Sequence, residues 1–357
     1  MKRPTIETKK WHRIHAYKLN KRRKKRFNGT EFASIIDSNI NYPTYVLCPT
    51  DFTLETNFEG VVDVLNQIRR ISSRERNELI KYIDFRSIRQ LSETAALVLA
   101  AELDRFNQHP LRKGRRLFAI DVEEWDQSVR RKLAEMGFFD LLNATYPKSL
   151  AENDTQDPNT RYIQFRSGSK VEGSVIEELR EIDLDPYISI PRRRLLFAAV
   201  TEAMTNVVHH AYLNRQSSFT VRKWWLSAMR NVEEKEVSIF IYDQGRGIPN
   251  TLPRKFSERI REMIPDEISR DDARMIQAAH DLARSASGEQ YRGHGLQRDV
   301  RRYASEMGHR ARYRVISGNG AYTFAAGVDG GERESQVLST LRRSLEGTLI
   351  EWRLSLQ

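Results

Sequence analysis

Cysteine is nearly absent: Cys48 is the single one in 357 residues. One thiol closes no internal disulfide framework and builds no cysteine metal cluster, a composition that fits a reducing compartment. Long apolar runs are missing as well. No stretch of about 18 apolar residues occurs, and the N-terminus lacks the apolar core of a signal peptide, so neither membrane insertion nor secretion is indicated and the cytoplasm is the default location. Internal repeats are missing too. What is present is 39% hydrophobic residues, enough for real cores, on a length that suits two domains of ordinary size.

Acidic residues are scarce at one end. Residues 1–30 hold twelve Lys or Arg and the single acid Glu7, so this stretch carries the whole formal net charge of +11 and leaves 47 basic and 47 acidic residues for the rest. With Trp11, His12, His15 and Tyr17 among its cations, a basic arm over residues 1–40 has the groups that bind phosphate backbones and stack on bases, with nothing base-specific. A solvated basic tail has the same composition, and both readings stand.

The densest pattern lies in the middle of the chain. From Leu195 to Tyr212, apolar residues at Leu196, Ala199, Val200, Ala203, Val207 and Ala211 make one stripe of a helix, while Glu202, Asn206 and His210 recur every fourth residue beside it. One helix face therefore presents a carboxylate, an amide and an imidazole. Downstream, Val237–Tyr242 reads as a strand running into Asp243-Gln244-Gly245-Arg246-Gly247, where glycines admit close backbone approach and an acid stands at the strand end. Tyr291-Arg292-Gly293-His294-Gly295-Leu296 then opens an expected helix to Met307, whose free N–H groups suit phosphate.

The order and spacing of these three stretches resemble the ATP-binding domain shared by gyrase, a heat-shock chaperone class, histidine kinases and MutL (GHKL), and within it the anti-sigma-factor serine kinases. The match runs from about residue 161 to residue 357 and includes Gly347-Thr348 on the final strand. The resemblance implies a Bergerat-type α/β sandwich binding ATP with Mg²⁺, covered by a lid at about residues 250–290. It implies that Asn206 holds the Mg²⁺ and that Glu202 is the catalytic base. Asp243 and Thr348 would read the adenine, Gly245 and Gly247 would admit the base, and Gly293, His294, Gly295 and Leu296 would offer donors to the phosphates. His210 fits either a packed histidine or a ligand contact.

Residues 41–145 alternate strand and helix patterns: Thr44–Cys48, Leu79–Phe85 and Arg115–Asp121 as strands, Phe58–Ile71, Glu93–Phe106 and Val129–Met136 as helices. Alternation of this kind predicts an α/β layer. The order, with Asp84-Phe85-Arg86-Ser87-Ile88 and the Met136–Leu142 stretch, resembles the STAS domain of anti-sigma-factor antagonists. Glu93 falls on that family's phospho-acceptor serine and Ser92 on its aspartate. Two readings follow: a fixed imitation of the phosphorylated state, or an ordinary helix start with Ser92 as its cap. Residues 146–160 read as a linker.

The combination predicts an ATP-driven, Mg-dependent regulator with slow hydrolysis, in which nucleotide controls docking of the STAS-like part or of a partner. A serine/threonine protein kinase acting on a separate STAS partner is the alternative, and an ATP-gated nucleic-acid-binding component is the third reading. The partners expected are a STAS or sigma-like regulator, another subunit or a second copy of the chain, with no membrane.

Overall fold

The computed structural model describes residues 44–73, 80–108, 118–119, 121–141, 146–154, 157–180, 190–213, 221–255, 271–285, 311–327 and 334–356. The basic arm, most of the expected lid, and Gly293, His294, Gly295 and Leu296 with the helix expected after them lie outside the described residues.

The first part is built from strands β1 (Thr44–Leu47), β2 (Asp51–Phe52), helix α1 (Phe58–Ser73), β3 (Ile80–Asp84), β4 (Gln90–Leu91), α2 (Glu93–Gln108), β5 (Phe118–Ala119), α3 (Gln127–Glu135) and α4 (Phe138–Leu141). The strands β1, β3 and β5 pair in parallel with β3 in the centre, and β2 pairs with β4. Parallel pairing needs helical crossovers, and the alternating pattern of the sequence supplies them. Helix α2 is buried on every side from Thr94 to Leu103, as suits a helix with little charge in that stretch. Ser92 starts it, its Oγ accepting from the Ala95 amide at 3.3 Å.

Residues 146–160, expected as a linker, are folded where they are described. A short helix α5 (Lys148–Asn153) leads to the buried Asp154, which accepts from the Arg130 guanidinium at 2.6 and 2.8 Å and from the Tyr146 hydroxyl. The Arg130 hydrogen bonds hold the Asp154 carboxyl below its ordinary pKa.

The second part begins with β6 (Thr160–Gly168), α6 (Gly173–Arg180) and α7 (Ile190–Asn206), which runs on as a π-helical turn over Val207–Ala211. Then come β7 (Trp224–Asn231), β8 (Glu236–Asp243), α8 (Ile248–Lys255), α9 (Asp272–Ser285), β9 (Ala311–Ala326) and β10 (Glu334–Ser355). The five strands form one sheet in the order β6-β7-β8-β10-β9, every neighbouring pair antiparallel. The whole is a mixed α/β architecture, as the alternation of patterns predicts.

An antiparallel sheet commonly leaves one face to water; this one is covered on both. Side chains alternate across a strand, so in β8 Val237, Ile239 and Ile241 enter a core shared with α6, α7 and α9, whereas Phe240 and Tyr242 enter the core of α1 and α2. The adjacent tryptophans of β7 divide in the same way: Trp224 joins the first core and Trp225 the second. The second core is continuous from the parallel sheet through α1 and α2 to Trp225, Phe240, Ile316 and Leu349. At its edge polar residues of the N-terminal part meet β6, β7, β9 and β10 and the residue that follows β8. Glu93 accepts from Tyr162 at 3.4 Å, Asp104 from the Trp225 indole at 3.0 Å, and Glu102 from Gln244 at 3.0 Å. Arg69 pairs with Glu346 at 2.5 Å, Asp63 with Arg343 at 3.2 Å and Glu55 with Arg314 at 3.5 Å.

On the opposite face α9 is seated on β9 through His280, whose ring lies 5.4 Å from that of Tyr313 and 5.1 Å from that of Tyr322. Although part of the residue reaches the surface, its Nε2 is buried without a hydrogen-bond partner, and burial lowers its pKa to about 4. The unfolded chain therefore binds a proton at higher pH than the folded one, so this contribution is complete above about pH 6.5 and is lost as pH falls towards 4. Denaturant titrations should show wild type losing about 1–2 kcal/mol more than His280→Phe between pH 7 and pH 5. Equal losses would mean that the imidazole is reached by water and titrates normally.

Candidate nucleotide site

Helix α7 sorts its residues as the sequence pattern implies. Leu196, Ala199, Val200, Ala203, Met204 and Val207 are buried, while Glu202, Asn206 and His210 are half-buried on the adjoining face. The Asn206 amide donates Nδ2–H to Glu202 Oε1 at 3.3 Å, one turn back. That bond leaves the amide oxygen, the atom a hard cation takes, uncommitted to Glu202. His210 follows on the π turn with its ring 6.1 Å from that of His209.

The π turn fits one extra residue into the last turn of the helix, a device seen often at functional sites. It brings Tyr212 inward, where its hydroxyl donates to the Lys223 carbonyl at 2.5 Å and accepts from the Gln244 amide at 3.1 Å. Burial, and then the nearby Asp243 carboxylate, push the Tyr212 phenol well above its ordinary pKa, so it remains a neutral donor. The same turn ends at Ala211, whose carbonyl accepts from the Arg246 amide at 2.8 Å. A Cβ on Gly245 would lie 2.5 Å from that carbonyl oxygen, so the missing side chain makes room for the helix end.

Asp243 ends β8 and is Thr348's partner across the β8–β10 ladder, which sets the two side chains next to each other on the α7 face of the sheet. Both are buried, at 5% and 7% exposure, and Asp243 Oδ1 accepts from the Gly245 amide at 2.6 Å. Before Thr348 the strand bulges at Gly347, whose φ of 85° is left-handed and where a Cβ would overlap the Asp243 carbonyl oxygen.

Ser317 on β9, which sequence reasoning does not single out, ties these pieces together. Its buried hydroxyl accepts from the Ile248 amide at 2.9 Å, donates to the Gly347 carbonyl at 2.8 Å and lies 3.1 Å from the Thr348 hydroxyl. A lone serine in Val315-Ile316-Ser317-Gly318 gives no signal, because its partners are about 30 and 70 positions away.

The structure therefore brings together Glu202 with Asn206, and Asp243 with Thr348, Gly245 and Gly247. The expected phosphate donors Gly293, His294, Gly295 and Leu296 lie outside the described residues. Among the described residues two cavities stand out. One of about 500 Å³ is lined by Gly168, Val208, Tyr212, Leu213 and Trp224; one of about 450 Å³ by Asn66, Arg69, Gly245, Arg246 and Asn250. Neither contains Glu202, Asn206, Asp243 or Thr348, so these polar groups, not an enclosed volume, define the site.

Removing the hub tests this construction. Ser317→Ala leaves the half-buried Ile248 amide and the buried Gly347 carbonyl without their partner, at about 1–3 kcal/mol. Chemical denaturation should show a loss of that size, with faster amide exchange at Ile248; unchanged exchange there would mean that the serine holds nothing.

Residues 189–296 match the family model for the histidine kinase-like ATPase domain. No curated protein matches the chain. The matched region contains Glu202, Asn206, Asp243, Gly245 and Gly247 and extends to Leu296, so the Glu202–Asn206 pair and Asp243, but not its ladder partner Thr348, sit inside a region similar to a histidine kinase-like ATPase domain.

Proposed function

We propose that the protein is an ATP-binding regulator, a Mg-dependent switch with slow ATP hydrolysis, in which nucleotide controls the docking of the N-terminal part or of a partner. The observation that carries the reading is two polar pairs in one module: Glu202 with Asn206 on α7, and Asp243 with Thr348 on the sheet face that α7 covers. The groups fit such a ligand. Asp243 is an acceptor for an exocyclic amino group, Thr348 a small hydroxyl beside it, and Asn206 a single neutral oxygen donor. Among the described residues no three His, Cys, Asp or Glu side chains could hold a metal together. A cation held by Asn206 would take further ligands from phosphates and water, the habit of Mg²⁺.

ATP with Mg²⁺ supplies the phosphoryl group and the cation that spreads its charge. Asn206 would hold that cation, while its amide N–H donates to Glu202 and keeps it in place. Glu202 orients water and accepts its proton. Tyr212 and Ser317 keep the loop after Asp243 and the bulge before Thr348 in register.

The N-terminal part is read as a STAS-like element whose acceptor position is occupied by Glu93. That carboxylate pairs with Lys132 at 2.7 Å and accepts from Tyr162 of β6, a charge placed where the two parts meet. This supports a fixed negative charge as a docking element. The kinase alternative requires an acceptor on another protein, because Thr94 is buried and bonded to Glu55, and Ser92 is occupied as the helix cap.

Calorimetry and phosphate release separate the roles. Asn206→Ala should lose Mg-dependent ATP binding, whereas Glu202→Gln should keep ATP and lose turnover by about 10²- to 10⁴-fold, the scale of a general base. Wild-type affinity in Asn206→Ala, or full turnover in Glu202→Gln, removes the residue from the site.

A further inference from the structure

Helix α2 carries one fully buried carboxylate. Glu102 is 1% exposed and accepts from Arg105 three residues on, from Arg69 Nη2 of α1 at 2.7 Å, and from Gln244 Nε2 at 3.0 Å. Three donors on one buried acid meet the requirement that a charge removed from water be paired. The third donor is the informative one. Gln244 directly follows Asp243, and its backbone is already fixed by Tyr212, so side chain and main chain of this residue are each held by a separate element.

The other strand of the pocket is held from the same side. Arg69 Nη1 pairs with Glu346 at 2.5 Å, and the Glu346 carbonyl accepts from Tyr242 at 2.7 Å. Glu346 precedes Gly347 and Thr348 as Gln244 follows Asp243. Glu102 and Arg69 of the N-terminal part thus grip the residue that follows Asp243 and the residue two positions before Thr348, on both strands of the ladder pair.

We propose that Glu102 and Arg69 are positioning residues for the nucleotide base: through Gln244 and Glu346 they set the Asp243 carboxylate and Thr348 hydroxyl at the spacing that distinguishes an amino-bearing purine from a keto-bearing one. This rests on reading Asp243 as the base acceptor. A charge-assisted hydrogen bond contributes enough that its loss lowers affinity roughly tenfold. Because the bond positions an acceptor, the loss falls on ATP and not on GTP.

The test measures binding of ATP and of GTP, each with Mg²⁺, by calorimetry on the full chain. Gln244→Leu keeps the volume and leaves Glu102 its two arginines. The ATP-to-GTP affinity ratio should fall about tenfold, with a loss of thermal stability no larger than one hydrogen bond to a charged group accounts for. Gln244→Glu, which sets a second carboxylate against Glu102, should weaken ATP further, and the exchange Glu102→Gln with Gln244→Glu should recover much of the ratio. A wild-type ratio in Gln244→Leu and Gln244→Glu, with ATP still bound, overturns the positioning role alone. Wild type that binds neither nucleotide, or binds both equally, overturns the base-acceptor reading and this inference with it.

Discussion

Everything in this molecule depends on an antiparallel sheet with two apolar faces. Trp224 and Trp225 are adjacent in β7, as are Phe240 and Ile241 in β8, and all four are buried on opposite sides. A sheet of this composition exposed on one side would present a broad apolar patch. The chain resolves this by laying α1 and α2 across the face that α6, α7 and α9 leave open. The N-terminal part is thereby one wall of the sandwich whose other wall carries Glu202 and Asn206.

The consequence for function is geometric. The polar residues on and beside α1 and α2 reach four of the five strands and the residue that follows β8, and the deepest of them, Glu102, lies behind the loop that follows Asp243. Packed interiors shift between discrete arrangements and do not deform smoothly. A nucleotide that altered the Asp243–Gly247 loop would be felt at Gln244, and through Glu102 and Arg69 along two helices of the N-terminal part. Glu93, at the start of the same helix, lies at its other contact with the sheet.

Local patterns made much of this legible in the sequence. The fourth-residue spacing sets Glu202 beside Asn206 because α7 is regular as far as Asn206, and Asp243 stands at a strand end because β8 is a simple alternation. The π turn after Asn206 was hidden, since nothing in Val207-Val208-His209-His210-Ala211 marks one extra residue in a turn. The grip of Glu102 on Gln244 was hidden for a different reason: its partners are 142 positions apart, and only the packing of α2 on β8 brings them together. Within α2 the sequence shows Glu102 close to Asp104 and Arg105 at the end of an apolar run, and nothing in that spacing names its distant partners.

The claim that the N-terminal part is a wall of the nucleotide module is tested most directly by hydrogen exchange with and without ATP and Mg²⁺. The account predicts that ligand slows exchange along α2, Glu93–Gln108, together with β8 and the loop after Asp243. Slowing confined to residues after 160, with α2 unchanged at saturating nucleotide, would contradict it.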